Sequence, residues 1–419
     1  MVWAPHTVCV RQHRSAEERG QGHSSSHATL AKPNRDSPRK RKPMPGPQKS
    51  SVVLLGLGGV GRAFLELLLR AQPGSAASEV GVLAVVDSVT VLRASADAAD
   101  GHLSRAALSA VLLVKQQRTQ ATLASVAADP WLKCTAEPRS DAAVVATAAA
   151  RQRVVVADCS ASDTEALHTT LLGTTAASVV LANKKPLCGS WPSFQRLTAQ
   201  RTRLRAESTV GAGLPVHAAV RRCLAAGDAI HHISGVFSGT LGYVMSGLEQ
   251  GSSFSSVVAA AKAAGFTEPD PRDDLSGLDV ARKALILARL LGWPLELSQV
   301  AVESLYPAEM APDKMSVEQF MANLHTLDDA FSEKTAKAAA GGSVLRYAAV
   351  VKAGACSVGL VPVPGASPLG RVKGTDNLCE IHSLCYDAAP LVIQGRGAGA
   401  TATAAGVLAD VLELHDCNN

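Results

Sequence analysis

Aromatic side chains are scarce in this chain, at 4% of 419 residues, although hydrophobic residues in all make up 47%. Its cores must therefore be built from aliphatic side chains and alanine. No run of 18 apolar residues occurs, which excludes a transmembrane helix and predicts no membrane partner. No C-x-x-C pair occurs, and the nine cysteines are scattered. That pattern points to reduced thiols, away from a disulfide framework or a zinc site. The net charge of +5 is not a nucleic-acid signature. The first fifty residues hold ten Lys and Arg against Glu17, Glu18 and Asp36, so the remainder is slightly acidic. A chain of this length implies two or three domains.

Residues 1–48 lack hydrophobic periodicity and are rich in Ser, His, Arg, Lys, Pro and Gln, so disorder is expected there. A basic, acid-poor leader fits an organelle transit peptide. PRKRKP also fits a nuclear signal, and an inert tail is the third reading. The apolar segment of a secretory signal is missing.

What is present begins at Ser51. A leucine and valine run leads into Gly56-Leu57-Gly58-Gly59-Val60-Gly61 and then an amphipathic helix. Gly56 allows a tight turn, Gly58 lets the backbone approach a pyrophosphate, and Gly61 lets strand and helix pack closely. The phosphates would rest on the amides at the helix N-terminus. A second strand, Val80 to Val86, ends in Asp87, placed either to bind a ribose hydroxyl or simply to close a turn. Arg93 nearby leaves phosphate binding open, so NAD and NADP both remain possible. Further alternation follows: a helix around Arg105–Ala128, a strand at Ala143–Val145, the strand RVVVADCS ending at Ser160, a helix from Thr164, and the strand SVVLANKKPL. Loops after such strands face the cofactor. Ser160 and Lys184 would stand there, unless the lysines are only solvated loop charges.

The character changes at RAESTVGAGLPV. Glu207 and a glycine-punctuated loop from Val210 to Leu214 can turn carbonyls toward a hard monovalent cation, or can merely start a helix. After the strand HHISGV, a glycine-rich turn at Ser238-Gly239-Thr240 leads into a helix. The least probable residue choices lie in GFTEPDPRDDLSGLDVARKALILARLLG. A helix is predicted from Ser276, with Ser276 and Asp279 as a capping-box start and Gly292 as the stop. It is apolar nearly all round, yet Asp279, Arg282 and Lys283 occupy its first two turns. Asp279 and Lys283 share a face. Glu268, Asp270, Asp273 and Asp274 crowd the loop before it, which Pro269 and Pro271 stiffen. The arrangement reads as a site for a small cationic or zwitterionic ligand, or as a surface ion pair beside a helix start. Residues 292–342 read as mixed helices and loops. Two later segments read as antiparallel strands, and GRGAGATATAAGVLADVLELHD as a turn and final helix.

Taken together, GLGGVG, ANKKPL, ESTVGAGLPV, SGTLGYVMSGLE, GFTEPDPRDDLSGLDVARK, ESLYPAEM and QGRGAGATATAAGVLAD resemble homoserine dehydrogenase, most of all the monofunctional plant and algal form. The resemblance implies an α/β fold: a Rossmann nucleotide-binding domain at 50–206, an α+β substrate-binding and dimerisation domain at 207–390, and a C-terminal turn and helix at 391–419 returning to the first. It implies NAD(P)-dependent interconversion of L-aspartate 4-semialdehyde and L-homoserine, a step toward threonine, methionine and isoleucine. Lys283 then matches the proton donor, and Lys184 the lysine near cofactor and substrate. Glu268 and Asp279 match substrate-binding carboxylates, with Asp274 beside them. Glu207, Val210, Ala212 and Leu214 match a sodium loop, and Gly399 a cofactor contact. A homodimer in the plastid stroma is expected, otherwise a cytoplasmic one. Arg396 departs from the small residue usual at its place, and would contact a phosphate or crowd the cofactor. The length leaves no room for an added regulatory or aspartokinase domain. A cofactor-binding sensor without catalysis, and a different amino-acid or 2-oxo-acid dehydrogenase on the same fold, are the competing classes. Neither needs the EPDPRDD loop with its lysine.

Overall fold

The computed structural model describes residues 50–416, apart from 99, 117–121 and 398. The leader at 1–48 lies outside the described residues.

The first sheet contains β1 (Ser50–Leu55), β2 (Val80–Val86), β3 (Thr90–Ala94), β4 (Cys134–Pro138), β5 (Val154–Asp158), β6 (Ser178–Leu181) and β7 (Leu204–Arg205), in the order β4-β3-β2-β1-β5-β6-β7. From β2 through β7 the neighbours run parallel, and β3 and β4 add an antiparallel edge. Every residue of β1 and β5 is buried, which is why both read as unbroken apolar runs rather than alternating ones. The strand order reverses direction at β1, between β2 and β5, where an open α/β sheet leaves its crevice.

The second sheet is built from β8 (Ile230–Val236), β9 (Ala301–Val302), β10 (Ser343–Lys352), β11 (Ala355–Pro364), β12 (Asp376–Ser383) and β13 (Leu391–Arg396), ordered β13-β12-β8-β10-β11-β9. Its ladders are antiparallel except for β9 on β11. Residue 391 opens β13, which hydrogen-bonds to β12. The final helix, Ala400–Asp416, then packs Val407, Leu408, Val411 and Leu414 into the core around Phe64 of the first helix.

Three expectations fail locally. Ala143–Val145 is not a strand but lies in the helix Asp141–Ala149. Ser140 caps it by accepting the Ala143 amide at 3.1 Å, and the alanine-rich run favours the helix. The single helix expected around Arg105–Ala128 is two, Arg105–Gln116 and Leu123–Ala127. The capping box at Ser276 does not form. Ser276 ends a short helix, Arg272–Leu275, and Gly277 at φ +74° starts the next, Leu278–Leu290. A side chain on Gly277 would meet the Tyr347 hydroxyl at 1.9 Å, so packing as well as φ reserves the place for glycine.

Candidate active site

The helix Leu278–Leu290 buries Val280, Ala281 and Ala284 through Arg289, and so carries its first-turn charges to the edge of the core. Lys283 reaches back to β8's end. Its Nζ donates to the Phe237 carbonyl at 2.5 Å and pairs with Asp279 Oδ2 at 2.7 Å. Lys184, from the turn after β6, pairs with the other oxygen, Asp279 Oδ1, at 3.2 Å. The Lys283 side chain is 13% exposed and that of Asp279 43%, so the ammonium end is buried while the carboxylate stays partly open to solvent. Burial would raise the Asp279 pKa, but Lys283 and Lys184 hold the carboxyl well below the usual carboxylate range. For Lys283, burial lowers the pKa, Asp279 opposes that, and Lys184 adds to it. One carboxylate thus holds two ammonium groups, one from the turn after β6 of the first sheet and one from its own helix.

The acidic loop stands beside this cluster. Asp274 Oδ2 accepts the Glu268 amide at 2.8 Å, while Glu268 itself is exposed. Burial, with Glu268 and Asp279 near, raises the Asp274 pKa. Asp270 is not free for a ligand: Arg272, 3% exposed, grips both its oxygens and also donates to the Met310 and Met315 carbonyls. The Ser238 side chain caps the helix Gly239–Glu249, whose first turn adjoins Phe237 and hence Lys283.

On the cofactor side, Gly56 has φ +92°, and a Cβ there would lie 2.6 Å from the Ser160 nitrogen. A Cβ on Gly61 would lie 1.9 Å from the Gly56 carbonyl, so strand and helix meet only through glycine. Gly58, by contrast, has nothing within 4 Å of its missing Cβ. Gly58 is the N-cap of the helix Gly59–Arg70, and both Gly58 and Gly59 are exposed. A Cβ on Gly59 would stand 3.4 Å from Ala400, which brings the C-terminal turn with Gly399 (φ +116°) beside this loop. Arg396 is exposed at the end of β13, paired in register with Asp376.

Ser160 and Lys184 are linked through a buried network. Asp158 accepts from the Ser160 amide at 2.9 Å, Thr164 at 2.6 Å and Asn183 at 3.1 Å, and lies 2.8 Å from His168 Nε2. Asn183 Oδ1 accepts the Lys185 amide, which fixes the turn carrying Lys184. Asp87 behaves as a turn aspartate at one oxygen, accepting from the Val89 and Thr90 amides. Its other oxygen holds Lys115 at 2.7 Å. Burial would raise its pKa, but Lys115 and the two amides hold it lower.

The Glu207 loop lies elsewhere, under the final helix. The Glu207 carboxylate accepts the His217 amide at 2.6 Å and the Ala218 amide at 2.9 Å, and its own amide donates to Asp410 at 3.0 Å. Burial and the neighbouring Asp410 push Glu207 up to about 7, and burial pushes Asp410 up to about 6. Ala212 adopts φ +59°, and the Leu214 carbonyl already accepts the Val216 amide. Among the described residues no group of three His, Cys, Asp or Glu side chains could hold a metal ion, so any cation here would depend on backbone carbonyls.

A family-wide sequence model, Homoserine dehydrogenase, matches residues 215–412. The bifunctional aspartokinase/homoserine dehydrogenase of Haemophilus influenzae is 46% identical over 218 residues, 52% of this chain and 27% of that protein. Its chloroplastic counterpart 1 in Zea mays is 42% identical over 268 residues, 62% of this chain and 29% of that protein. The chain thus spans under a third of those two relatives. The homoserine dehydrogenase of Paracoccidioides brasiliensis is 38% identical over 277 residues, 62% of this chain and 74% of that protein. This chain belongs to the homoserine dehydrogenase family. Among solved structures, a protein from Archaeoglobus fulgidus assigned as homoserine dehydrogenase superposes with TM-score 0.66 at 25% identity, over 87% of this chain and 99% of that one. A hyperthermophilic archaeal homoserine dehydrogenase in complex with NADPH gives 0.63 at 21% identity, over 87% and 97%, a likeness of fold. Within this family member, sequence reasoning missed the Phe237 carbonyl, Lys115 and Arg289. Arg289 alone left a signal, a charge inside an otherwise apolar helix run.

Proposed function

We propose that this chain reduces L-aspartate 4-semialdehyde to L-homoserine, reversibly, in the biosynthesis of threonine, methionine and isoleucine. The observation that carries the reading is the Lys184–Asp279–Lys283 cluster, whose Lys283 is also tied to Phe237. NAD(P)H, when bound, supplies the hydride. Reduction leaves a developing alkoxide, which needs a proton and a nearby positive charge. Lys283 donates that proton from Nζ, and burial suits it to the task by lowering its affinity for the proton. Lys184 adds positive charge at the same oxygen. Glu268, with Asp274 next to it, meets the substrate's ammonium group, while Asp279, each of whose oxygens holds a lysine, orients Lys184 and Lys283. The amides of the Ser238–Thr240 turn receive its carboxylate. Gly56–Gly61, Ser160 and Gly399 would hold the cofactor, and the NADPH of the archaeal structure supports that choice of ligand. Residues 50–206 form the nucleotide unit in this reading, 207–390 the substrate and dimer unit, and 391–419 the return.

The decisive assay follows NAD(P)H oxidation with aspartate semialdehyde. Lys283→Ala is expected to abolish turnover while leaving NADPH affinity nearly unchanged, and near-normal turnover sinks the assignment. Because Lys115 already neutralises Asp87, a ribose phosphate would be accepted there, and NADP is the favoured cofactor. Lys115→Ala should weaken NADPH binding by roughly tenfold relative to NADH, the worth of one charge-assisted contact. Equal losses for both cofactors would reject the preference.

Three further elements belong to the proposal. A sodium ion at Glu207, Val210, Ala212 and Leu214 would relieve the repulsion between Glu207 and Asp410. A homodimer would use the sheet face carrying Val392, which is 37% exposed, with the cross-strand neighbours His232 and His382. The basic leader and the chloroplastic maize relative support a plastid location and a plant or algal affinity. Among the described residues no helix is long and apolar enough to cross a membrane.

A further inference from the structure

Arg289 is 2% exposed and sits near the far end of the helix that carries Asp279 and Lys283. A buried guanidinium is tolerated only when its donors are used. Nη1 donates to the Leu187 carbonyl at 2.7 Å, Nε to the Leu295 carbonyl at 2.9 Å, and Nη2 to Glu296 Oε2 at 3.0 Å. The Phe194 ring lies 5.4 Å from the guanidinium carbon. Glu296 uses its other oxygen to accept the Trp191 amide at 2.8 Å.

Those partners are not scattered. Leu187 closes the turn Lys185–Leu187 that follows Lys184, and Trp191 opens the next helix, Trp191–Thr198. Between them, the Cys188 thiol donates to the Arg282 carbonyl at 3.8 Å. The segment from Lys184 to Trp191 is therefore pinned to one helix and its following loop at several points. At one end stands the Lys184–Asp279 ion pair, with side chains 27% and 43% exposed. At the other end, ten residues and roughly 15 Å along the helix, stands buried Arg289. A half-exposed ion pair fixes the long Lys184 side chain poorly by itself. A second, buried attachment removes the rotation that a single point leaves free.

We infer that Arg289, oriented by Glu296, is a positioning residue. It clamps the turn of the first sheet against the helix of the second part and so sets the spacing of Lys184, Asp279 and Lys283. The inference rests on the dehydrogenase reading of that cluster. Neither residue touches the reacting atoms, and both act through the turn.

The test uses the whole chain with Glu296→Gln and Arg289→Lys. Glu296→Gln keeps one oxygen for the Trp191 amide and turns an NH2 toward Arg289 Nη2, so at a side chain 42% exposed it breaks the Glu296–Arg289 contact and leaves the Trp191 attachment. Arg289→Lys keeps the charge and loses the fork. For each, kcat, KM for aspartate semialdehyde, the NADPH dissociation constant and Tm are measured, with kcat followed against pH. A misplacement of about 1 Å costs on the order of 100-fold in rate, so kcat should fall ~10- to 100-fold with NADPH affinity little changed. The pH profile separates positioning from bulk stability. Lys283 is faced by Asp279 from its own helix, Lys184 from the turn and Asp274 from the loop before the helix. If Lys184 withdraws, Lys283 loses a repelling neighbour, and the alkaline limb of reduction moves to higher pH. A lowered Tm with wild-type kcat and an unmoved limb overturns the inference and leaves the dehydrogenase reading standing. No turnover by the wild-type chain overturns both.

Discussion

Asp279 and Glu207 are both half-buried carboxylates, yet their protonation equilibria move in opposite directions. Asp279 stands between two lysines and is held in its charged form. Glu207 stands beside a second buried carboxylate, Asp410, and is pushed up to about 7, with Arg221 the main opposing charge. Burial works against both anions, so the sign of the neighbours decides the outcome. The first cluster carries one negative and two positive groups, a surplus suited to a negative charge that develops during reaction. The second carries two negative groups against one positive, Arg221, a surplus suited to a small cation. Each place is incomplete by one charge, of opposite sign.

The comparison breaks most visibly at Asp279. Asp279→Asn leaves Lys184 and Lys283 side by side without an anion, and one of them must lose its proton. We expect kcat to fall by ~10²- to 10⁴-fold, the range in which a misplaced acid–base group acts. The alkaline limb of semialdehyde reduction should move to lower pH, because Lys283 loses the neighbour that raised its proton affinity. An unmoved limb would show that Lys283 is not the group titrating. Lys184→Met sharpens the same point from the other side. It removes a repelling charge, so the limb should move up while kcat falls by ~10²- to 10³-fold, the cost of one lost stabilising donor.

How much of this was legible in the sequence depended on whether a feature was local. The Gly56 turn, β1 and the Asp279/Lys283 face follow from spacing alone, since period and turn geometry are properties of adjacent residues. Lys184 could be placed at a strand's carboxyl end, but its partner lies 95 positions later, and no pattern encodes that pairing. The Ser276 cap failed because two cap signals compete within two residues. Gly277 reaches the left-handed region at no steric cost, and it alone fits under Tyr347. Asp87 had two readings that sequence could not separate. The deciding partner, Lys115, comes from a helix 28 residues away. Glu207 was legible as a ligand-like carboxylate, whereas its neighbour Asp410 arrives from the far end of the chain.

The smallest expected effect is also the cleanest contrast with Asp279, because it reads stability rather than rate. A carboxyl whose folded pKa is raised adds stability below its unfolded value and loses it as pH rises through the folded one. For Glu207 that window runs from 4.5 to about 7, and for Asp410 from 3.8 to about 6. In a salt of a large organic cation, Tm should therefore decline between pH 4 and 7. Replacing that salt with NaCl at equal ionic strength should recover the loss at pH 8, by about 1.4 kcal/mol at a tenfold excess over the dissociation constant. Asp410→Asn should flatten the pH dependence, because Glu207 then lacks its repelling partner, and should remove the sodium effect with it. A sloping Tm that ignores sodium would mean that Arg221 compensates the pair alone. In that case the Glu207 loop is a helix cap, its carboxylate spent on the His217 and Ala218 amides, and only the Asp279 cluster awaits a charge from outside the chain.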